Sequence, residues 1–322
     1  MDGYKLLAKV TAVGLFIGLA SAMINQAASA YADDPLSGSD TAIILGGTTE
    51  PTPSTAFAQA AEDLYLHPLG FDDGATGSTV CDMIGTDPCA APLQVLTTPE
   101  LIQQGPSSLT AADDVVLAVE NEFNADPGAF SAEHPLTIFG YSQSATAESI
   151  AMTQLQADGI PSDDLHFVFI GDPSLPVTGA WSNLEPDMDA LFGPTVTNTL
   201  LTDFGFDGIL GNVTPDDLYP ATIYSLDTDP VPNFQDVFET KGLLGAMLDV
   251  FGPHVEYLGL TPSEVADATT STNGDLTLVD ISDTDINNVD AWISAVFEHG
   301  AAGSGLLESV LDSLQLYFTN MF

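Results

Sequence analysis

Ser142 lies in the segment LTIFGYSQS, residues 136–144, and its surroundings carry more information than the serine itself. A strand-like apolar run stops at Gly140, and from Ala145 to Asp158 the residues recur at helical intervals. A strand that turns sharply into a helix at a serine lifts the hydroxyl above the sheet, where it can serve as a nucleophile. The pattern is G-x-S-x-G with Ser144 in the fifth position, a side chain small enough for a crowded corner. The amide of Gln143, at the positive end of the following helix, would face a developing oxyanion. The competing reading is an ordinary strand-to-helix turn with a serine cap.

A serine nucleophile needs a base, which in this order of elements follows it in the chain. His166, His254 and His299 are the histidines after Ser142. His166 opens a strand and should lie at the far edge from the chemistry, and His299 ends a helical run. His254 sits in the loop FGPHVEYLGL after what reads as the last core strand, where a triad histidine belongs. The acid is open between three carboxylates at strand ends, with Asp229 preferred, Asp227 next and Asp172 third. Its task is to hold the histidine N–H and stabilise the imidazolium. With 46 acidic residues in the chain, any one of them is as readily a solvated surface group. A second oxyanion donor is expected from Gly47 and Thr48, in the loop after the first strand; a plain glycine turn explains those residues equally well.

The elements that must position these groups alternate in kind. Thr41 to Leu45 reads as a buried strand, Ala56 to Leu66 and Leu109 to Phe123 as helices, and Asp164 to Ile170 and Ala221 to Leu226 as further strands. A punctuated excursion from Ser174 to Asp217 and an apolar run before His254 could cover an acyl chain, though such residues are more often core. Alternating strands and helices predict an α/β fold with a mainly parallel central sheet flanked by helices. Chemistry should then gather beyond the carboxyl ends of the strands, at Gly46, Gly140, Gly171 and Asp227.

The 322 residues carry a formal net charge of -43, with Lys5, Lys9 and Lys241 as the only basic side chains besides histidine. Such a chain repels phosphate backbones, which argues against nucleic-acid binding. Without arginine, bidentate capture of a phosphate or carboxylate is not available. No cofactor and no metal site is expected. Lys5 and Lys9 precede an apolar run, Val10 to Ile24, followed by Ala28-Ser29-Ala30; residues 1–32 therefore read as a signal peptide or a retained membrane anchor. Either would carry the chain out of the cytoplasm to a secreted or cell-envelope location. Cys81 and Cys89 are expected to close a short loop as a disulfide, in keeping with that address.

The segments IILGGT, FGYSQSA, FIGDP, LDTDPVPNF and PHVEYLGL together resemble the PE-PPE domain family of mycobacterial and related actinobacterial proteins, over residues 40 to 262. The resemblance implies a cutinase-like α/β-hydrolase with a Ser-Asp-His triad and esterase or lipase activity on an acyl ester or lipid. It also implies an alternative, acyl transfer onto a glycolipid or sugar acceptor of the cell envelope. A third reading keeps the scaffold as an envelope binding or structural protein without catalysis. The expected organisation is a leader at 1–32, a hydrolase domain at 33–265 and an extension at 266–322 packed on it.

Overall fold

Eight short runs of apolar and β-branched residues assemble into one sheet. In chain order they are β1 (Ala42–Ile44), β2 (Val80–Asp82), β3 (Leu93–Val95), β4 (Leu136–Tyr141), β5 (Leu165–Ile170), β6 (Ala221–Leu226), β7 (Thr269–Asn273) and β8 (Leu276–Ile281). They pair in the order β2-β3-β1-β4-β5-β6-β8-β7. Among the described strands, only the β7–β8 pairing is antiparallel. The computed structural model describes residues 34–71, 77–282 and 289–300. The expected leader at 1–32 and the terminal amphipathic run at 306–318 lie outside the described residues.

Strands β4, β5 and β6 are buried along their whole length, as a parallel sheet covered on both faces requires. Alternate residues serve alternate faces. Ile138, Phe167, Phe169 and Ile223 face a core filled by the helices α2 (Gln104–Ala125) and α3 (Gln143–Asp158). On the other face Phe139, Tyr141 and Tyr224 meet Phe57 and Tyr65, carried by α1 (Thr55–Ala61) and the π-helical turn Glu62–Leu66 that continues it. Ser54 caps α1 by accepting the Phe57 N–H. The α/β fold with a mainly parallel central sheet, read from the alternation of elements, is the fold observed.

Three details differ from the expected element list. The sheet does not end with β6: β8 pairs with it in parallel over six residues, and β7 folds back along β8. Residues 269–281 therefore lie inside the sheet rather than in an extension beginning at 266. The cysteine-bearing region contains two strands, β2 and β3, each three residues long and too short to show a period. The excursion between β5 and β6 holds α4 (Ala180–Phe192) and α5 (Pro194–Asp203), and α6 (Phe234–Asp249) follows β6.

Candidate active site

Ser142 occupies the junction of β4 and α3 with φ 58° and ψ -110°, a conformation that costs a non-glycine residue on the order of 1–3 kcal/mol. The bend is held on all sides. Ser142 N–H donates to the Ile170 carbonyl at 3.0 Å, tying it to the end of β5. The hydroxyl of Ser144 accepts the Tyr141 N–H at 2.8 Å and donates to the Tyr141 carbonyl at 3.1 Å. Serine at the fifth position thus braces the corner. Gly140 has no such freedom: a Cβ there would stand 2.4 Å from Oε1 of Glu148, whose buried carboxyl fills the space beneath the bend.

His254 sits on the single turn Pro253–Val255 and is almost fully buried. Its Nε2 lies 2.7 Å from Ser142 Oγ, and its Nδ1 lies 2.8 Å from Asp229 Oδ2. The carboxylate can only accept, so Nδ1 carries the proton and Nε2 is left to accept the serine O–H. Asp229 is fully buried, and its other oxygen accepts the Val231 N–H at 2.9 Å. Of the three candidate acids, the structure brings only Asp229 to the imidazole. Asp227 is exposed and accepts from Ser282 Oγ at 3.3 Å, on the β8 side of the turn. Asp172 is buried but turned away, accepting Ser174 N–H at 2.8 Å and Thr214 Oγ1–H at 2.6 Å, and burial raises its pKa to about 6.

Three tyrosines that sequence reasoning did not single out hold this constellation. Tyr257 donates its hydroxyl to Asp229 Oδ2 at 2.8 Å and accepts the Leu226 N–H at 3.0 Å. Tyr141, from the residue before the serine, donates to the His254 carbonyl. Tyr65 donates to the Tyr257 carbonyl at 2.6 Å. Gly171, at φ 59°, lets the His254 and Tyr257 rings pack on its backbone; a Cβ there would meet His254 Cε1 at 2.9 Å.

The oxyanion candidates form a second cluster beside the bend. Gln143 opens α3, where backbone N–H groups lack partners within the helix. Its side chain donates to the carbonyls of Leu101 at 3.0 Å and Gln104 at 3.4 Å. Gln104 Nε2 donates to Thr48 Oγ1 at 2.7 Å, which leaves the Thr48 O–H free to point elsewhere. Gly47 passes so close to Tyr141 that a Cβ would lie 3.0 Å from its ring. Two acids behind this loop are shut away from water. Burial raises Glu50 to about 8, with help from the charge of Glu100, and burial alone raises Glu100 to about 8 against a hydrogen bond from Thr98 that lowers it.

The other histidines are elsewhere. His166 on β5 contacts Thr222 Oγ1 at 3.0 Å, and burial lowers its pKa to about 4, so it is neutral at physiological pH. It lines a concavity with Pro35, Pro135 and Asp275 at the amino ends of the strands, opposite to Ser142. His299 ends a π-helical turn, where its carbonyl accepts from Ser54 Oγ. Among the described residues one cluster has the makings of a metal site, Glu62, Asp63 and His67. There the two imidazole nitrogens face the two carboxylates at 3.5 and 3.4 Å, and Ser78 donates to Glu62 from both its N–H and its hydroxyl. Cys81, on the edge strand β2, and Cys89 are joined by a disulfide. Trp181 is buried and donates to Thr146 Oγ1, whereas Leu191 and Phe192 on α4 and Leu244, Met247 and Leu248 on α6 are exposed.

Residues 89–237 match the model of the PE-PPE domain. The span includes Ser142 and Asp229, while Thr48 and His254 fall outside it. An uncharacterized PPE family protein of Mycobacterium tuberculosis, PPE28, is 27% identical over 251 residues, which is 76% of this chain and 33% of the relative. An esterase of the same organism, PE16, is 28% identical over 254 residues, 77% of this chain and 42% of the relative. The chain thus spans well under half the length of these curated relatives. A cutinase-like protein from Cryptococcus sp. aligns over 70% of this chain and 98% of its own, at 16% identity and a TM-score of 0.33. No helix among the described residues is long and apolar enough to cross a membrane.

Proposed function

We propose that this chain, whose residues 89–237 match the PE-PPE domain model, is a serine hydrolase of acyl esters, with Ser142 as nucleophile, His254 as base and Asp229 as acid. The observation that carries this reading is the unbroken line of two hydrogen bonds, 2.7 and 2.8 Å long, from the strained serine through the imidazole to a buried carboxylate. In the first half-reaction His254 Nε2 takes the hydroxyl proton as Ser142 Oγ adds to the acyl carbonyl. The oxyanion is met by the Gln143 N–H and the Thr48 O–H, whose orientation Gln104 restricts. The imidazolium then protonates the departing alkoxide and leaves an acyl-serine. In the second half His254 activates water and the acid is released. A sugar hydroxyl entering in place of water would make the same intermediate an acyl donor.

The surroundings suit an uncharged substrate. The described residues hold one lysine, Lys241, and no arginine, and that lysine is paired with Asp249 at 2.5 Å, so among the described residues no lysine or arginine is free to hold an anionic head group. We also place the protein outside the cytoplasm, on the basic-apolar-small order of residues 1–32 and on the Cys81–Cys89 disulfide.

The test is covalent. A fluorophosphonate probe should label the wild type and not Ser142→Ala, and the same substitution should abolish hydrolysis of a short-chain p-nitrophenyl ester. Equal labelling of the two proteins removes Ser142 from the role of nucleophile. Adding a sugar acceptor and looking for the acylated sugar separates hydrolysis from transfer.

A further inference from the structure

We propose that Tyr257 is a positioning residue for catalysis, holding Asp229 in the one rotation that serves His254 and sharing the negative charge of the oxygen that the imidazole uses. The proposal rests on the Ser142–His254–Asp229 reading and adds to it a fourth member that acts through the acid.

The geometry is specific. The Tyr257 hydroxyl is engaged twice: it accepts the Leu226 N–H at 3.0 Å and donates to Asp229 Oδ2 at 2.8 Å. The backbone donor from the end of β6 fills the oxygen's accepting side, so its single hydrogen is left to point at the carboxylate. Oδ2 is the same oxygen that receives Nδ1–H of His254. Val231 N–H holds Oδ1 at 2.9 Å, so the carboxylate is fixed at both ends and cannot rotate away from the ring. Tyr257 itself is anchored at its carbonyl by Tyr65 and at its ring by the bare backbone of Gly171. It lies three residues after the base it serves, so two consecutive short turns, Pro253–Val255 and Tyr257–Gly259, deliver the imidazole and the clamp on the acid.

The titratable groups that act on the phenols around the pair are Asp229, Glu50, Glu264 and Tyr65. Tyr257, Tyr141 and, behind them, Tyr65 are phenols that burial holds well above their ordinary range, with Asp229 adding to the effect on the first two. Tyr257 therefore remains a neutral donor throughout the working range. Glu50 reaches Tyr141 electrostatically and ionises only near 8, above the acidic limb of a serine hydrolase.

The sign of the effect follows. A hydrogen bond to a carboxylate stabilises its charge and makes it a weaker partner for a second donor. Without the hydroxyl, Oδ2 holds the protonated imidazole more firmly, and the base stays blocked to higher pH. Tyr257→Phe keeps the ring and its packing. The expected result is a kcat lower by about tenfold, KM within about twofold of wild type, and an acidic limb of kcat/KM moved up by about one pH unit. A purely structural tyrosine would lower Tm and leave the limb in place.

The experiment compares pH profiles of ester hydrolysis for wild type, Tyr257→Phe and a protein with 3-fluorotyrosine at position 257, all first titrated with the fluorophosphonate probe. Fluorotyrosine keeps the hydroxyl as a stronger donor, so its limb should move the other way, to lower pH; this arm stands even if Tyr257→Phe does not fold. A limb unmoved in whichever variants fold, or moved in the same direction by both, overturns the role of Tyr257 while the triad survives. Wild type that takes up no probe overturns the triad reading itself.

Discussion

Replacing Glu100 by glutamine should stabilise the protein near pH 8 and leave it almost unchanged near pH 4.5. Glu100 follows β3 with 1% of its surface exposed; one carboxyl oxygen accepts the Thr98 hydroxyl at 2.8 Å and the other has no hydrogen-bond partner. Burial lifts its pKa from 4.5 to about 8. In the unfolded chain the group therefore loses its proton near 4.5, and in the folded protein near 8. Between those values the unfolded state binds fewer protons, so stability falls as pH rises. The gap of about 3.5 pH units, at about 1.36 kcal/mol each, sets a ceiling of roughly 5 kcal/mol. Local relaxation lowers this, and a gain of about 2–4 kcal/mol is expected for the variant at the upper end. Glutamine copies the shape of the neutral acid, so the two proteins should coincide at the lower end. Relief of Glu50, which the charge of Glu100 also raises, adds in the same direction. Urea unfolding of both proteins across this range gives the difference directly, and the chain-wide repulsion of so acidic a protein largely cancels in it. A difference that stays flat with pH would refute the assignment of Glu100 as a buried neutral acid.

Two further outcomes follow from the site geometry. Asp229→Asn should cost about 10⁴ in kcat, while Asp227→Asn and Asp172→Asn stay within about threefold of wild type; steady-state kinetics on the three purified variants decides, and comparable losses in all three would remove the distinction. Gly171→Ala should lower kcat by about 10- to 100-fold, because its Cβ would displace the His254 ring, whereas Gly159→Ala, equally strained at φ 84° but facing open space, should lose only stability.

The strained bend at Ser142 was legible because its evidence is local. A run of strand residues, a glycine, a serine and a helical repeat occupy one continuous stretch, and the bend depends on contacts within it, such as Ser144 with Tyr141. His254 was legible from chain order, since the topology of this fold decides which loop can return to the serine. The sheet was most legible where its strands were six residues long and mostly apolar, as in β4, β5 and β6. It was not legible in β2 and β3, which are too short for a period, or in β7, an exposed threonine-rich strand that is placed by its pairing with β8.

Composition, charge and local pattern were the sequence's own to determine: an acidic chain without arginine, an α/β alternation, and a hydroxyl at a tight bend. The choice between Asp227 and Asp229 was not, because the two lie two residues apart in one turn and differ only in which way that turn faces once it has packed. The same holds for Glu50, Glu100 and Glu148, which look like any other of 46 acidic residues until a core closes around them. Tyr257 reads in the sequence as one more core aromatic, and only the folded chain puts its hydroxyl on the oxygen that faces His254. Burial and direction are properties of the packed molecule, set by residues distant in the chain, and no local pattern encodes them.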